Sequence, residues 1–300
     1  MTPTQQHATL AAANCQVAFD NLTRQLYATD ASHYQIEPMA VAFPQDARQA
    51  GSIIQAAMQA GVSVIPRGAG TGLVGGAIGD GVVVDFARFN RLITEFDIDK
   101  RTVRVGAGVV LDQLNHFLRP QGFAFGPDVA TSARATLGGM IANNSSGARC
   151  ALYGTTADHI AELEVGMSDG KVLKVGAGHD TLKLQRTMLE DLAMLNGLQI
   201  GERFPAGLLK RWPGYALDRV LRDPSNPINV LAGSEGTLAA ISSAVVKVVP
   251  TPDEIGLCLI FFDSIAEAMQ AAVELADLKP SAIEFLDRMI LDQTRGQREF

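Results

Sequence analysis

Apolar and polar residues along this chain follow two rhythms, and the first clear one is helical. Ala50, Ile53, Ile54, Ala57 and Met58 recur at i, i+3, i+4, i+7 and i+8, which puts them on one helix face. Asp46 stands near the start and Gly61 just past the end, places favoured for an N-cap and for a left-handed stop. Short apolar runs flank this helix. One is MAVAFP, opened by Pro38 and closed by Pro44; the other is Val62 to Ile65. The pattern predicts a β-α-β unit over 38–65, with parallel strands joined by a crossover helix.

The rhythm then turns to strands. VVVDF (82–86), LITEFD (92–97) and TVRV (102–105) read as strands, followed by a helix around 111–119 and a short one near 138–143. His159 to Met167 alternates like a half-buried strand, and Ser168-Asp169-Gly170 makes a tight turn into KVLKV, which predicts a hairpin. Residues 181–195 read as a helix, and 197–228, with glycines, prolines and the sole Trp212, as irregular surface. Strands are predicted at 238–241 and 244–249. After Pro250 a second β-α-β begins, with a strand at 255–262, a helix at 264–276 and a further strand starting in 282–286. Residues 1–37 have Ala-rich helical stretches and are expected to form an N-terminal helical extension. The fold class is therefore α+β.

Composition sharpens one region. The chain holds 29 glycines in 300 residues, and eight of them lie between positions 61 and 81. The formal net charge of -7, without a Lys/Arg run, argues against nucleic acid as a partner. No apolar stretch approaches the roughly 18–20 residues of a membrane span. The N-terminus lacks the basic start and apolar core of a secretory signal. Cys15, Cys150 and Cys258 are far apart and form no CxxC, so neither zinc nor a disulfide framework is indicated. Reduced thiols suit a cytoplasmic location, with peripheral attachment at the inner face of a membrane left open. No metal site is expected, since His7, His33, His116, His159 and His179 form no HxH, HxxH or HExxH pattern.

Gly70-Thr71-Gly72-Leu73-Val74-Gly75 matches GxGxxG. A Rossmann turn needs a helix next, yet Gly76, Gly79, Asp80 and Gly81 follow, and then a strand. No GK[ST] follows either, so a P-loop fails too. A glycine loop between strands can still bind phosphate, because successive backbone N–H groups can point into one concavity where glycine permits φ > 0. Two further loops have the same small, polar character: Thr136 to Gly147 and Gly233 to Thr237. Three such loops suit one long ligand better than three unrelated turns.

Ser234 sits in GSEG rather than GxSxG, so a hydrolase elbow is not supported. Glu235 and Asp128 are carboxylates whose pairing the sequence leaves open. Arg211 in LKRWPGY is a candidate for meeting a substrate carboxylate, with a solvated basic residue as the alternative.

At these residues the chain resembles the FAD-linked oxidases of the vanillyl-alcohol oxidase and p-cresol methylhydroxylase type. The resemblance rests on PRGAGTGLVGGA (66–77), DG-VVVD (80–85), GPD (126–128), ATLGGMIANNSSGAR-x-x-x-YGTT (135–156), LEV (163–165), SDG (168–170) and GSEGTLAAIS (233–242). YQIEPMAVAFP (34–44) and LKRWPGYALD (209–218) are similar to the D-lactate, glycolate and D-2-hydroxyglutarate dehydrogenase branch. The resemblance implies an FAD-binding domain over 38–250, with two α/β subdomains clasping the cofactor. Residues 251–300 would begin a substrate cap that the chain leaves incomplete.

It further implies that the backbone of Arg67, Gly68, Ala69, Gly70, Thr71, Gly72 and Leu73 cradles the pyrophosphate. Pro127, Asp128, Thr136, Gly138, Gly139, Asn143, Ser146 and Gly147 would line the rest of the cofactor. Gly236 and Ile241 would meet it from the far strand, with Glu235 shaping the turn at the cofactor site. Thr71 stands where some members carry a flavin-linked histidine, so FAD is expected to be non-covalent. The implied substrate is a small D-2-hydroxy acid such as D-lactate, with hydride passing to flavin N5. A quinone, an electron-transfer protein or an iron–sulfur domain would take the electrons. Catalytic residues of such enzymes come from the cap and beyond, so none is assigned here. An NADPH-dependent reductase on the same fold and an inactive FAD-binding fragment stand as alternatives.

Overall fold

The computed structural model describes residues 1–176, 179, 183–204 and 214–296. The first sheet has the order β1-β2-β4-β3: β1 (Gln16–Ala18), β2 (Ala40–Phe43), β3 (Val64–Arg67) and β4 (Val82–Asp85). The predicted helix forms as α3 (Ala47–Ala60), with the Asp46 carboxylate accepting from the Gln49 N–H and Gly61 at φ +64. β2 and β3 run parallel as expected, but they are not neighbours; β4 lies between them and pairs with both. Residues 1–37 are not helical throughout. They supply α1 (Pro3–Ala11), the antiparallel edge strand β1, and α2 (Asn21–Leu26).

This sheet is buried on both faces, which explains why VVVD is an unbroken apolar run rather than an alternating one. Ala40, Ala42, Val82 and Val84 pack with the α3 face of Ala50, Ile53, Ile54 and Ala57. Val41, Phe43 and Val83 point the other way, toward Tyr27 and Ile65.

The remaining strands are β5 (Ile93–Asp97), β6 (Thr102–Gly106), β7 (Phe123–Ala124), β8 (Ile160–Gly166), β9 (Val172–Gly176), β10 (Ala240–Lys247) and β11 (Val249–Pro250). Five of them form an antiparallel sheet in the order β5-β6-β10-β8-β9, and β7 pairs with β11. The inner face of the larger sheet, including Val103, Val105, Leu163, Val165, Ala244 and Val246, meets α4 (Leu111–Leu118) and α5 (Leu137–Asn143). α3 also touches this second sheet. A methyl on Gly51 would lie 2.4 Å from the Gly170 carbonyl in the β8–β9 turn, so this helix position has room only for glycine.

Three expectations need correction. The strands foreseen at 238–241 and 244–249 are essentially one, β10, whose register shifts between Ile241 and Ser243. Ser242 and Ser243 read as a break, yet Ser242 is buried and its hydroxyl donates to the Glu164 carbonyl at 2.9 Å. Residues 197–228 are largely helical where described: α6 (Cys150–Tyr153) precedes α7 (Lys183–Arg203), which runs on past 195, and α8 (Leu217–Arg222) and α9 (Ile228–Leu231) follow. Trp212 and Arg211 lie outside the described residues. No strand forms at 255–262 or 282–286; among the described residues after Pro250 the chain forms α10 (Ile265–Leu275), a 3-10 turn at Ala276–Leu278 and α11 (Arg288–Thr294). A strand needs a hydrogen-bonded neighbour. These runs have none among the described residues, and Leu257 and Phe261 are 88% and 84% exposed.

Candidate functional site

The three glycine-rich loops close on one cavity of about 830 Å³. The first wall is the loop that leaves β3. Residues 68–76, Gly75 excepted, line the cavity. Among the described residues, no N–H from Gly68 to Gly76 donates to a backbone carbonyl. Gly70 and Gly75 hold φ +67 and +77, the conformations that turn successive N–H groups toward one concavity. A methyl on Gly72 would meet nothing within 4 Å, so bare backbone faces open space.

The loop is held by a residue at its own root. The Arg67 guanidinium donates to the carbonyls of Ala77 at 3.0 Å, Thr29 at 2.8 Å and Tyr27 at 3.4 Å. It also lies 5.1 Å from the centre of the Tyr27 ring. Burial pulls its pKa below the usual range. The Tyr27 hydroxyl donates to buried Asp85 at the end of β4, and the Asp85 carboxylate accepts from the Ala87 N–H at 2.6 Å.

The second wall runs from Thr136 to Gly147. The Thr136 hydroxyl accepts from the Gly139 N–H at 3.4 Å and caps α5. A methyl on Gly138 would stand 2.6 Å from the Ala107 side chain, and one on Gly147 only 1.5 Å from the Asp128 carbonyl. The Asn143 amide donates to the Ser145 hydroxyl at 3.0 Å. The YGTT segment lies against this stretch. The Thr156 hydroxyl and N–H both donate to the Ser145 carbonyl, at 2.6 and 2.8 Å. The Ala157 N–H donates to the Asn144 side chain at 2.9 Å. Asp158 accepts from the Thr155 N–H at 2.8 Å and from Arg219 at 2.6 Å. Burial pushes the Asp158 carboxyl up, but the Thr155 N–H and the Arg219 charge outweigh it, and its pKa falls below the ordinary carboxylate value.

The third wall is tied to the second. The Gly233 and Glu235 N–H groups donate to the Ile141 and Ala142 carbonyls at 3.0 and 2.9 Å. Glu235 holds φ +53, and partial burial of its carboxyl pushes its pKa up.

Every residue expected at the ligand lines this cavity except Pro127, which is buried beside Asp128. Val129, Ala130, Thr131, Ala148 and Glu284 line it as well, and no periodicity along the chain marks them. Asp128 pairs with Arg149 at 3.4 Å, with both side chains about half exposed. Arg67 is the one basic side chain lining the cavity among the described residues, and its guanidinium is engaged by carbonyls. An anion here would therefore meet neutral donors, the loop N–H groups foremost, rather than a free cation.

Other candidates resolve into structure. His159 is buried, its Nε2 2.7 Å from the Tyr153 carbonyl and its ring against Phe125. His179 lies 2.7 Å from Glu162. Among the described residues no three His, Cys, Asp or Glu side chains gather to hold a metal, and no helix is long and apolar enough to cross a membrane.

Residues 38–176 match the family model described as FAD binding domain. This chain carries an FAD-binding domain. It is 34% identical over 290 residues to the D-2-hydroxyglutarate dehydrogenase of Pantoea ananatis (strain AJ13355), covering 89% of this chain and 28% of that protein. It is 30% identical over 259 residues to the D-lactate dehydrogenase of Archaeoglobus fulgidus, covering 85% of this chain and 49% of that protein. The chain thus spans less than a third to about half of the curated relatives it matches. Among solved structures it shares the fold of alkyldihydroxyacetonephosphate synthase, with a TM-score of 0.65, 21% identity, and coverage of 89% of this chain and 44% of that one.

The site of the FAD-binding domain fits its cofactor chemically. A pyrophosphate needs donors, and the first loop has N–H groups without backbone partners. Gly138, Gly139 and Gly147 of the second wall line the cavity, so no side chain of theirs would stand between backbone and a flat ring.

Proposed function

We propose that this chain is the cofactor-holding part of an FAD-dependent oxidoreductase that oxidises a small D-2-hydroxy acid such as D-lactate or D-2-hydroxyglutarate. The observation that carries the reading is the glycine loop of unpaired N–H groups facing a cavity walled by two further small-residue loops. Bound FAD supplies a two-electron acceptor for hydride leaving the substrate carbon that bears the hydroxyl. The protein's part is binding and orientation. Residues 68–76 hold the pyrophosphate through N–H groups, and the walls at 136–147 and 233–241 orient the ring. The loop holds Thr71 and no histidine, so the cofactor is held without a covalent bond. The similarity to D-2-hydroxyglutarate and D-lactate dehydrogenases across most of this chain supports the substrate class. A quinone, an electron-transfer protein or an iron–sulfur domain takes the electrons onward.

The test begins with binding. Purified protein is expected to show flavin absorption bands that acid precipitation releases into solution. Protein that stays colourless and fails to take up FAD would overturn the reading. Bleaching of bound flavin under anaerobic conditions is then followed with D-lactate, D-2-hydroxyglutarate, glycolate and NADPH. Reduction by NADPH alone would replace the hydroxy-acid assignment.

A further inference from the structure

The FAD family match begins at residue 38, yet the glycine loop is braced by residues before it. Arg67 stands at the first position of the loop and Ala77 at its far end, and one guanidinium nitrogen joins them at 3.0 Å. The same guanidinium reaches back to Thr29 and Tyr27. The Ala31 N–H donates to the Gly70 carbonyl at 2.9 Å, which takes up a loop acceptor and leaves the loop's donors open. The Tyr34 ring lies so close to Gly75 that a methyl there would be 3.0 Å from it. Tyr27 sits beneath the guanidinium, and its hydroxyl is anchored on Asp85.

We infer that Arg67 and Tyr27 are positioning residues for the cofactor: the guanidinium, seated on Tyr27, closes the glycine loop so that its N–H groups converge on the pyrophosphate. The inference rests on FAD being the ligand of this cavity. Its geometry follows from side-chain chemistry. A planar fork of donors can hold two or three carbonyls at once, whereas a lysine ammonium in the same place cannot span them. The loop lacks internal hydrogen bonds, so without the pin its many glycines would sample many shapes, and binding would have to select one.

The test compares Arg67→Lys and the milder Tyr27→Phe with the parent protein, freed of FAD and then titrated with it. Flavin fluorescence quenching reads the affinity. Arg67→Lys is expected to weaken FAD binding roughly tenfold, because it removes contacts to the loop itself, and Tyr27→Phe about threefold, because it removes only the anchor on Asp85 beneath the guanidinium and keeps the ring. Amide exchange in the FAD-free protein supplies a second readout. The Ala31 N–H should exchange faster in Arg67→Lys, while the amides of β4 keep their protection. FAD affinity within twofold of the parent in both variants, or equal loss of protection at Ala31 and β4, would overturn the inference. Failure of the parent protein itself to bind FAD would instead strike the cofactor reading, and the exchange comparison would still decide whether the pin shapes the loop.

Discussion

Two walls of the cavity have nearly the same composition and opposite construction. The loop at 68–76 makes no backbone hydrogen bonds through its N–H groups and is shaped by Arg67 and residues 27–34. The stretch at 136–147 is fastened at almost every polar group: Thr136 to Gly139, Asn143 to Ser145, Ser145 to Thr156 and Asn144 to Ala157. An anion needs open donors, whereas a flat ring needs a surface that does not move. Glycine serves the first wall through its φ > 0 conformations and the second through its lack of a side chain. Composition cannot separate these uses. The destination of each hydrogen bond does.

The largest expected effect breaks the second wall alone. Gly147→Ala places a methyl 1.5 Å from the Asp128 carbonyl, so backbone must shift. A loss of about 3 kcal/mol of stability is expected, at the upper end for overpacking. Gly72→Ala meets nothing within 4 Å, and thermal stability should stay within about 0.5 kcal/mol of the parent. FAD affinity should nonetheless fall in Gly72→Ala, because the methyl enters cavity space. Thermal melting of both FAD-free variants, paired with FAD titration, checks the contrast. A Gly72→Ala protein that melts low and binds FAD normally would erase the distinction between the walls.

Much of the scaffold beneath the walls was legible in sequence, for physical reasons that can be named. The α3 caps, Asp46 and Gly61, are local devices that act within one turn, and both appear as expected. The Ser168-Asp169-Gly170 turn likewise joins β8 to β9. Tertiary partners were not legible. Ser242 reads as a break until its hydroxyl is seen paired with Glu164 inside β10. Gly197 and Gly201 suggest irregular chain, yet they sit within α7. The runs at 255–262 and 282–286 have strand composition without a partner among the described residues. At the site, glycine spacing marked the loops that line the cavity. Nothing periodic marked Tyr27 and Thr29, whose role comes from a guanidinium 38 or 40 residues away.

A smaller effect tests how YGTT stiffens the second wall. Thr156 is fully buried, and Thr156→Val removes the 2.6 Å bond to the Ser145 carbonyl while keeping the shape. A cost of about 1–2 kcal/mol is expected by urea unfolding, with weaker FAD binding alongside. The neighbouring Asp158 adds a pH signature. Its folded pKa is depressed, so its stabilisation is complete above the ordinary carboxylate value and is lost as pH falls through the folded value. Asp158→Asn should therefore be less stable than the parent at neutral pH, and the two should converge in acid. A stability gap that persists unchanged in acid would show that the Arg219 and Thr155 contacts do not act through the charge.

The smallest effect sharpens the comparison from the third wall, where a carboxylate shares the cavity with an anion cradle. A methyl on Gly76 would lie 3.6 Å from the Glu235 carboxylate, so the charge faces the first loop. Partial burial raises its pKa, and the sign is opposite to that of Asp158. The neutral form is favoured in the fold, so its benefit is full below the ordinary value and disappears as pH rises through the folded pKa. Above that point an ionised Glu235 and a bound pyrophosphate would repel each other. The parent is expected to bind FAD a few-fold less tightly as pH rises from about 5 to about 8, and Glu235→Gln should flatten that dependence. Parallel profiles for the two proteins would mean that the loop N–H groups alone set the electrostatics of the cradle. A flattened profile would mean that the third wall tunes the anion affinity that the first wall creates.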